Sequence, residues 1–281
     1  MRARDAFLSL GKETKIMGIV NITPDSFSRD GCVEPREDFT RKAVVRARAL
    51  IRQGADIIDI GGESTRPGAR RVSAQEEIAR IIPAIRALAK KGSVPLSADT
   101  YKSLTARHAL DAGARIINNI KGVRLEKSLL KMIRRYNAAV VLMHIRGTPR
   151  TMQKNIPEHD VMTEILESLR KSIEICLENG IKSDKIIIDP GFGFGKTFDQ
   201  NLLILNRLGE LKELGLPILI GTSRKSFIGK ILNKDVGQRL MGTAATVTAG
   251  ILNGAHIVRV HDVGAIKETV RVTDAILNER F

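Results

Sequence analysis

Short runs of Ile, Val and Leu recur along the chain, and between them apolar residues return every three or four positions. The runs are Lys15–Val20, Asp56–Ile60, Val94–Ala98, Arg115–Ile120, Ala139–His144, Lys185–Asp189, Pro217–Gly221 and Ala255–His261. Almost every position within a run is apolar, which suits a strand covered on both faces in a parallel sheet rather than one wetted on one side. The amphipathic stretches predict helices over Asp38–Gln53, Ala74–Lys91, Tyr101–Ala112, Glu126–Arg135, Val161–Asn179, Gln200–Glu213, Val236–Leu252 and Ala265–Asn278.

The punctuation fits this alternation. Ser73-Ala-Gln-Glu76 reads as a capping box, hydroxyl and carboxylate each taking an orphan N–H at a helix start. Gly54, Gly113, Gly180 and Gly254 stand just past an apolar period, where a helix exits through a left-handed residue. Three exits repeat one junction, GADIIDI, GARIINNI and GAHIVRV, so one structural unit is used repeatedly. Eight strand-then-helix units without a linker predict a single α/β domain over residues 1–281, a (β/α)8 TIM barrel. An open, doubly wound sheet is the alternative.

Composition narrows the partners. With 46 Lys+Arg against 31 Asp+Glu, the formal charge is +15, a field that attracts phosphate. Yet 8 Phe, 2 Tyr and no Trp leave little for base stacking. The cations are also dispersed, as in Arg41, Lys42, Arg46, Arg48 and Arg52, which reads as a solvated helix face. No nucleic-acid partner is expected; small anionic substrates use the same field. No apolar run approaches the roughly 18 residues of a membrane span, and Ala6–Leu10 is too short for a secretory core. Cys32 and Cys176 fit no metal spacing, so reduced thiols in a cytoplasmic protein without membrane contact are expected.

In such a barrel, chemistry gathers where strands end. Polar residues cluster there at every strand: Asn21, GGESTRPGA (61–69), Asp99-Thr100, Asn118-Asn119, His144, Asp189, Thr222–Ser226, and Arg259 with His261. Each alone could cap a helix or satisfy a turn; together they predict a site. Carboxylates, an amide and a cation suit a flat heterocycle with N–H and C=O edges. Arg259 and His261, just before a helix expected near Ala265, suit an anion. Two motifs are set aside. Pro190–Thr197 lacks the first glycine of a phosphate loop, and its G-x-G-x-G spacing is not a dinucleotide fingerprint. The five histidines form no zinc pattern, and no G-x-S-x-G supports a serine nucleophile.

MGIVNITPDSFS (17–28), DIGGESTRPGA (59–69), SADT (97–100), DPGFGFGKT (189–197), GTSRKSFIG (221–229) and RVHDV (259–263) resemble the dihydropteroate synthases, in order and over essentially the whole chain. The resemblance implies a homodimeric barrel that joins 6-hydroxymethyl-7,8-dihydropterin diphosphate to 4-aminobenzoate with Mg²⁺. It implies a pterin pocket of Asp99, Asn118, Asp189 and Lys225. Arg259, His261, Thr65 and Asn21 would hold the diphosphate, Asn21 also helping to bind Mg²⁺. Phe27, Arg66, Pro67, Phe194 and Ser226 would line the aminobenzoate pocket. Two departures stand out. Ser28-Arg29-Asp30-Gly31-Cys32 replaces the usual S-D-G-G, which leaves the first-loop acid open between registers, with Asp30 favoured. Asn119 stands where the family often has Asp. The implied reaction is an S_N1-like transfer in which Asp99 and Asp189 face a cationic pterin. Other pterin-binding barrels, such as methyltetrahydrofolate methyltransferases, and a basic nucleic-acid-binding barrel are the rival readings.

Overall fold

The computed structural model describes residues 13–23, 36–64, 69–90, 92, 94–122, 124–148, 151–152, 156–157 and 160–279. Strands and helices alternate: β1 (Lys15–Asn21), α1 (Arg36–Arg52), β2 (Ile57–Gly61), α2 (Ala74–Ala89), β3 (Leu96–Asp99), α3 (Ser103–Ala112), β4 (Ile116–Asn119) and α4 (Lys127–Arg135). There follow β5 (Ala139–Met143), α5 (Val161–Glu178), β6 (Ile186–Asp189), α6 (Phe198–Asn206), β7 (Leu219–Ile220), α7 (Ser226–Leu232), α8 (Leu240–Leu252), β8 (Ile257–Val260) and α9 (Val263–Asn278).

All strand pairs are parallel, in the order β6-β5-β4-β3-β2-β1-β8-β7. A parallel bridge between Ile188 and Ile218, with the Ile188 N–H 2.9 Å from the Pro217 carbonyl, joins the two ends. The expected barrel is therefore the observed fold, and the open-sheet alternative fails at that bridge.

Inside the ring, Met17, Ile57, Ile116, Val141, Ile187, Leu219 and Ile257 form a buried apolar layer. Side chains alternate along a strand, so two residues further on the chain faces inward again. Those next positions are Ile19, Asp59, Asn118, Met143, Asp189, Gly221 and Arg259. Register extends the row, since Asp59 pairs with Ser97, and Asn21, Gly61, Asp99 and Asn118 lie side by side. The polar layer thus sits directly on a hydrophobic floor at the C-terminal end of the strands. A larger cluster, including Ala43, Leu50, Ile85, Leu110, Ile133, Leu169, Leu208 and Ile266, fills the space between sheet and helices.

Local details differ from the sequence pattern in four places. The Ser73 hydroxyl accepts from the Glu76 N–H as expected, but the Glu76 carboxylate receives Arg80 instead of closing the box. A complete capping box forms at Thr197 and Gln200. The helix expected over Gln200–Glu213 ends at Asn206 and continues as a 3₁₀ turn over Leu208–Leu214, a stretch weakened by Gly209. The region after β7 holds α7, whose seven residues around Gly229 are too short to show a period. The four glycine exits do adopt positive φ, between 77° and 114°. Among the described residues, no helix is long and apolar enough to cross a membrane.

Candidate active site

Arg259 organises one half of the mouth. Its Nε donates to Asp59 Oδ2 at 2.7 Å and its Nη2 donates to Asp99 Oδ2 at 2.8 Å. Asp59 has no exposed surface, and the same Oδ2 accepts from Asn118 Nδ2 at 3.0 Å. The other oxygen, Oδ1, finds no partner among the described residues, leaving a buried acceptor for a ligand or a water. Burial pushes the Asp99 carboxyl up, to about 7, against the pull of Arg259. Burial works against the Arg259 charge too, but Asp59 and Asp99 more than offset it, and its proton affinity rises. The aspartates occupy Nε and Nη2, so Nη1 is the edge that can meet an anion.

Asp189 and Lys225 form the facing half. Asp189 ends β6, and its Oδ1 accepts from the Gly191 N–H at 2.7 Å. Burial raises its proton affinity, while Gly191, Lys196, Lys225 and Arg259 pull the other way. Lys225 is held down to about 8 by burial and by Arg259, with Asp189 and Asp99 opposing. Arg259 is bonded to Asp99, and Asp189 and Lys225 lie near enough to act on its charge, so the four charged groups share one end of the barrel. The Lys225 ammonium lies 4.4 Å from the centre of the Phe194 ring, a cation–π contact at the glycine-rich loop. Gly193 makes this approach possible: at φ +77°, a Cβ there would stand 3.3 Å from Lys225 Cδ.

The turn after β7 sets the third side. The Lys225 N–H closes it onto the Thr222 carbonyl at 3.1 Å, and Arg224 adopts φ 58° while pairing with Asp262. Ser223 Oγ accepts the His261 backbone N–H at 3.2 Å and lies 3.0 Å from His261 Nδ1. With the serine proton directed at Nδ1, the neutral imidazole carries its own proton on Nε2, ready to donate. Burial, then Arg259 and Arg224, hold the His261 pKa down to about 3. The following helix starts at Val263, two residues before the expected Ala265. Ser226 opens α7 and is exposed, and Asn21 ends β1 with inward parity.

The sequence-derived residues Asp99, Asn118, Asp189, Lys225, Arg259, His261, Phe194, Ser226 and Asn21 therefore all fall at one end of the barrel. Phe27, Asp30, Thr65, Arg66 and Pro67 lie outside the described residues. The flanks of residues 65–68 are tied, with the Val72 N–H donating to Glu63 Oε1 at 3.2 Å and Lys102 Nζ donating to Glu63 Oε2 at 2.6 Å. Asn119 has the opposite parity to Asn118, and its Oδ1 accepts from the Lys121 N–H at 2.9 Å. An aspartate would make the same bond; the asparagine adds a buried Nδ2 that has no partner among the described residues.

Sequence reasoning overlooked Asp59, although a carboxylate flanked by Ile58 and Ile60 in a doubly covered strand is itself a signal. It also passed over Lys196, whose ammonium donates to the carbonyls of His144, Pro190 and Gly191 at 3.1, 2.8 and 2.8 Å. That lysine is buried in backbone, and three carbonyls take up its ammonium donors.

A family model described as pterin binding enzyme matches residues 17–261. The dihydropteroate synthase of Synechocystis sp. is 45% identical over 267 residues, 95% of this chain and 91% of that protein. The chain belongs to the dihydropteroate synthase family. Solved dihydropteroate synthases share its shape. One from Clostridium difficile, determined in the presence of pteroic acid, is 46% identical with a TM-score of 0.88, covering 96% of this chain and 98% of that one. Another, from Xanthomonas albilineans with 4-aminobenzoic acid, is 39% identical with a TM-score of 0.86, covering 94% and 93%. In this dihydropteroate synthase family member, the described residues of the motifs that carry the resemblance include Asn21, Asp59, Asp99, Asp189, Lys225 and Arg259 at the mouth.

Proposed function

We propose that the protein is a transferase that condenses 6-hydroxymethyl-7,8-dihydropterin diphosphate with 4-aminobenzoate, giving 7,8-dihydropteroate and diphosphate. One observation carries this reading: Asp99, Asn118, Asp189 and Lys225 converge over a sealed apolar floor, with Arg259 and His261 beside them. The first four offer acceptors, an amide and a cation to the edges of a bicyclic pterin. The Arg259 Nη1 edge and His261 Nε2 suit the diphosphate. Relatives solved with pteroic acid and with 4-aminobenzoic acid support the same pair of ligands.

The chemistry follows from charge. An arylamine is a weak nucleophile, so bond breaking leads. The bond between the exocyclic methylene and the diphosphate oxygen breaks with its electron pair on oxygen, and the pterin ring takes up positive charge. Asp99 and Asp189 face that cation in a water-poor site, where electrostatic stabilisation is strongest. Arg259 and His261 hold the leaving anion. The amine lone pair then forms the C–N bond, and its surplus proton leaves to solvent. By the family resemblance, Phe27, Arg66, Pro67, Phe194 and Ser226 are assigned to the amine, Thr65 to the diphosphate, and Asp30 is the favoured first-loop acid.

Mg²⁺ belongs to this proposal. Among the described residues, no cluster of three or more His, Cys, Asp or Glu side chains is placed to cage a cation. Mg²⁺ usually keeps several waters and leans on substrate phosphates, so one hard oxygen from Asn21 beside a diphosphate fits it. Bound there, the ion would offset phosphate charge. A homodimer is also proposed. Ile231, Val236, Met241 and Leu252 on and around α7 and α8, with Val272 and Ile276 on α9, leave an apolar face 47% or more exposed at each position. A second copy would cover it, and light scattering on wild type and Met241→Glu tests this. A cytoplasmic setting accords with the free, buried thiol of Cys176.

The deciding experiment is a coupled assay for diphosphate release. Release should require both substrates and yield 7,8-dihydropteroate. Diphosphate release without 4-aminobenzoate incorporation would overturn the reading.

A further inference from the structure

Lys196, 3% exposed, sits between two strand ends, with no ion pair to a carboxylate among the described residues. It meets three carbonyls, and three acceptors use all three ammonium protons. One carbonyl, His144, lies just past β5; the other two, Pro190 and Gly191, follow β6. The Pro190 carbonyl and the Gly191 N–H belong to a single peptide plane. Lys196 holds that plane at its oxygen, at 2.8 Å, and Asp189 Oδ1 holds it at its nitrogen, at 2.7 Å. A charge-assisted hydrogen bond to a peptide oxygen polarises the amide and strengthens the bond its N–H donates. The plane has little room to move otherwise. A Cβ at Gly191 would stand 2.0 Å from the His144 oxygen and 3.1 Å from Lys196 Nζ.

The surroundings support a dedicated device. Arg146 flanks the loop, donating to the Gly195 carbonyl at 3.1 Å and to Gln200 Oε1 at 2.8 Å, and pairing with Glu164. Burying a cation is costly, and burial does pull the proton affinity of Lys196 well below its ordinary value. A neutral amine could satisfy only two of the three carbonyls, so the arrangement uses the charged form.

We infer that Lys196 is a positioning residue for the pterin subsite, acting through the Pro190–Gly191 peptide to fix the carboxylate of Asp189. This rests on the proposed reading of Asp189 as a pterin contact. Lys196 touches no substrate itself; it sets where the acceptor points.

The test compares wild type, Lys196→Met and Lys196→Gln in steady-state assays with each substrate varied. Methionine keeps length without donors, and glutamine keeps two N–H donors without charge. For folded Lys196→Met, kcat/KM for the pterin diphosphate should fall about 10- to 100-fold, the range found when a supporting contact behind a site is removed. KM for 4-aminobenzoate should stay within about twofold, with Lys196→Gln intermediate. A folded Lys196→Met with unchanged kinetics, or with both substrates affected alike, overturns the inference. Wild-type activity in the same assay separates that failure from failure of the assigned reaction. If neither variant folds, lysine-¹⁵N spectra of the wild type decide. A solvent-protected ammonium signal displaced by pterin diphosphate, but not by 4-aminobenzoate, supports the relay; no such response overturns it.

Discussion

Arg259 reaches from β8 past β1 to β2, where its Nε meets Asp59, a carboxylate with no exposed surface, at 2.7 Å. The pair fixes the guanidinium plane before any ligand arrives. Removing Asp59 takes away one of the two carboxylates that hold the cation, leaving Asp99, and strands the Arg259 Nε and Asn118 Nδ2 donors. Asp59→Ala should therefore lower urea-denaturation stability by about 1–3 kcal/mol, the cost of buried donors left unpaired. Asp59→Asn, which keeps an oxygen acceptor, should cost less. Stability within about 0.5 kcal/mol of wild type for Asp59→Ala would contradict the role given to this pair.

Lys225 and Asp189 influence each other's charge at the mouth, where the proposed function puts the pterin. Lys225→Ala or Asp189→Asn should lower turnover of the pterin substrate by about 10²- to 10³-fold, the scale of losing one preorganised electrostatic contact. Near-wild-type kinetics for both would contradict the assignment.

The same groups set a pH profile. Asp99, raised to about 7, takes up a proton as pH falls through that value and loses its charge toward Arg259. Lys225, lowered to about 8, loses its proton as pH rises through that value. The free enzyme's kcat/KM for the pterin diphosphate should therefore be bell-shaped, with its maximum between the two. A profile flat from pH 6 to 9 would count against both groups.

Gly191 has φ +72°, and a Cβ there would stand 2.0 Å from the His144 oxygen. Gly191→Ala must move backbone on two strand ends, beyond the 1–2 kcal/mol that left-handed backbone alone costs an L-residue. Chemical denaturation should show a loss of about 2 kcal/mol or more, together with weakened pterin binding. An alanine variant as stable as wild type would rule out the close approach.

Chelation separates the metal from the heterocycle. With excess EDTA, binding of the pterin diphosphate measured by calorimetry should weaken, while binding of pteroic acid, which carries no phosphate, should not. Equal affinities for the diphosphate with and without Mg²⁺ would remove Asn21 from the metal site.

The barrel was legible in the sequence because its strands are covered on both faces and write themselves as unbroken Ile and Val runs. The strand-end residues were legible because polar groups cannot sit idle beside such runs. Asp59 was harder: it lies mid-strand rather than at an end, and only its inward parity with Ile57 puts it in the mouth. Lys196 read as part of a failed phosphate loop because its partners are carbonyls, which every residue has and no motif records. The half-formed box at Ser73 turned on competition for Glu76 by Arg80, one turn further along the helix. The seven-residue α7 carries too few positions for a period to appear.

The apolar layer of Met17, Ile57, Ile116, Val141, Ile187, Leu219 and Ile257 makes the barrel a well with a closed bottom. Whatever enters must leave by the same opening. The molecule lying deepest has to arrive first, and the last to arrive becomes its stopper. Occupancy of the upper position would then slow escape of the lower one, so loading of this protein should be sequential, the deeper molecule first.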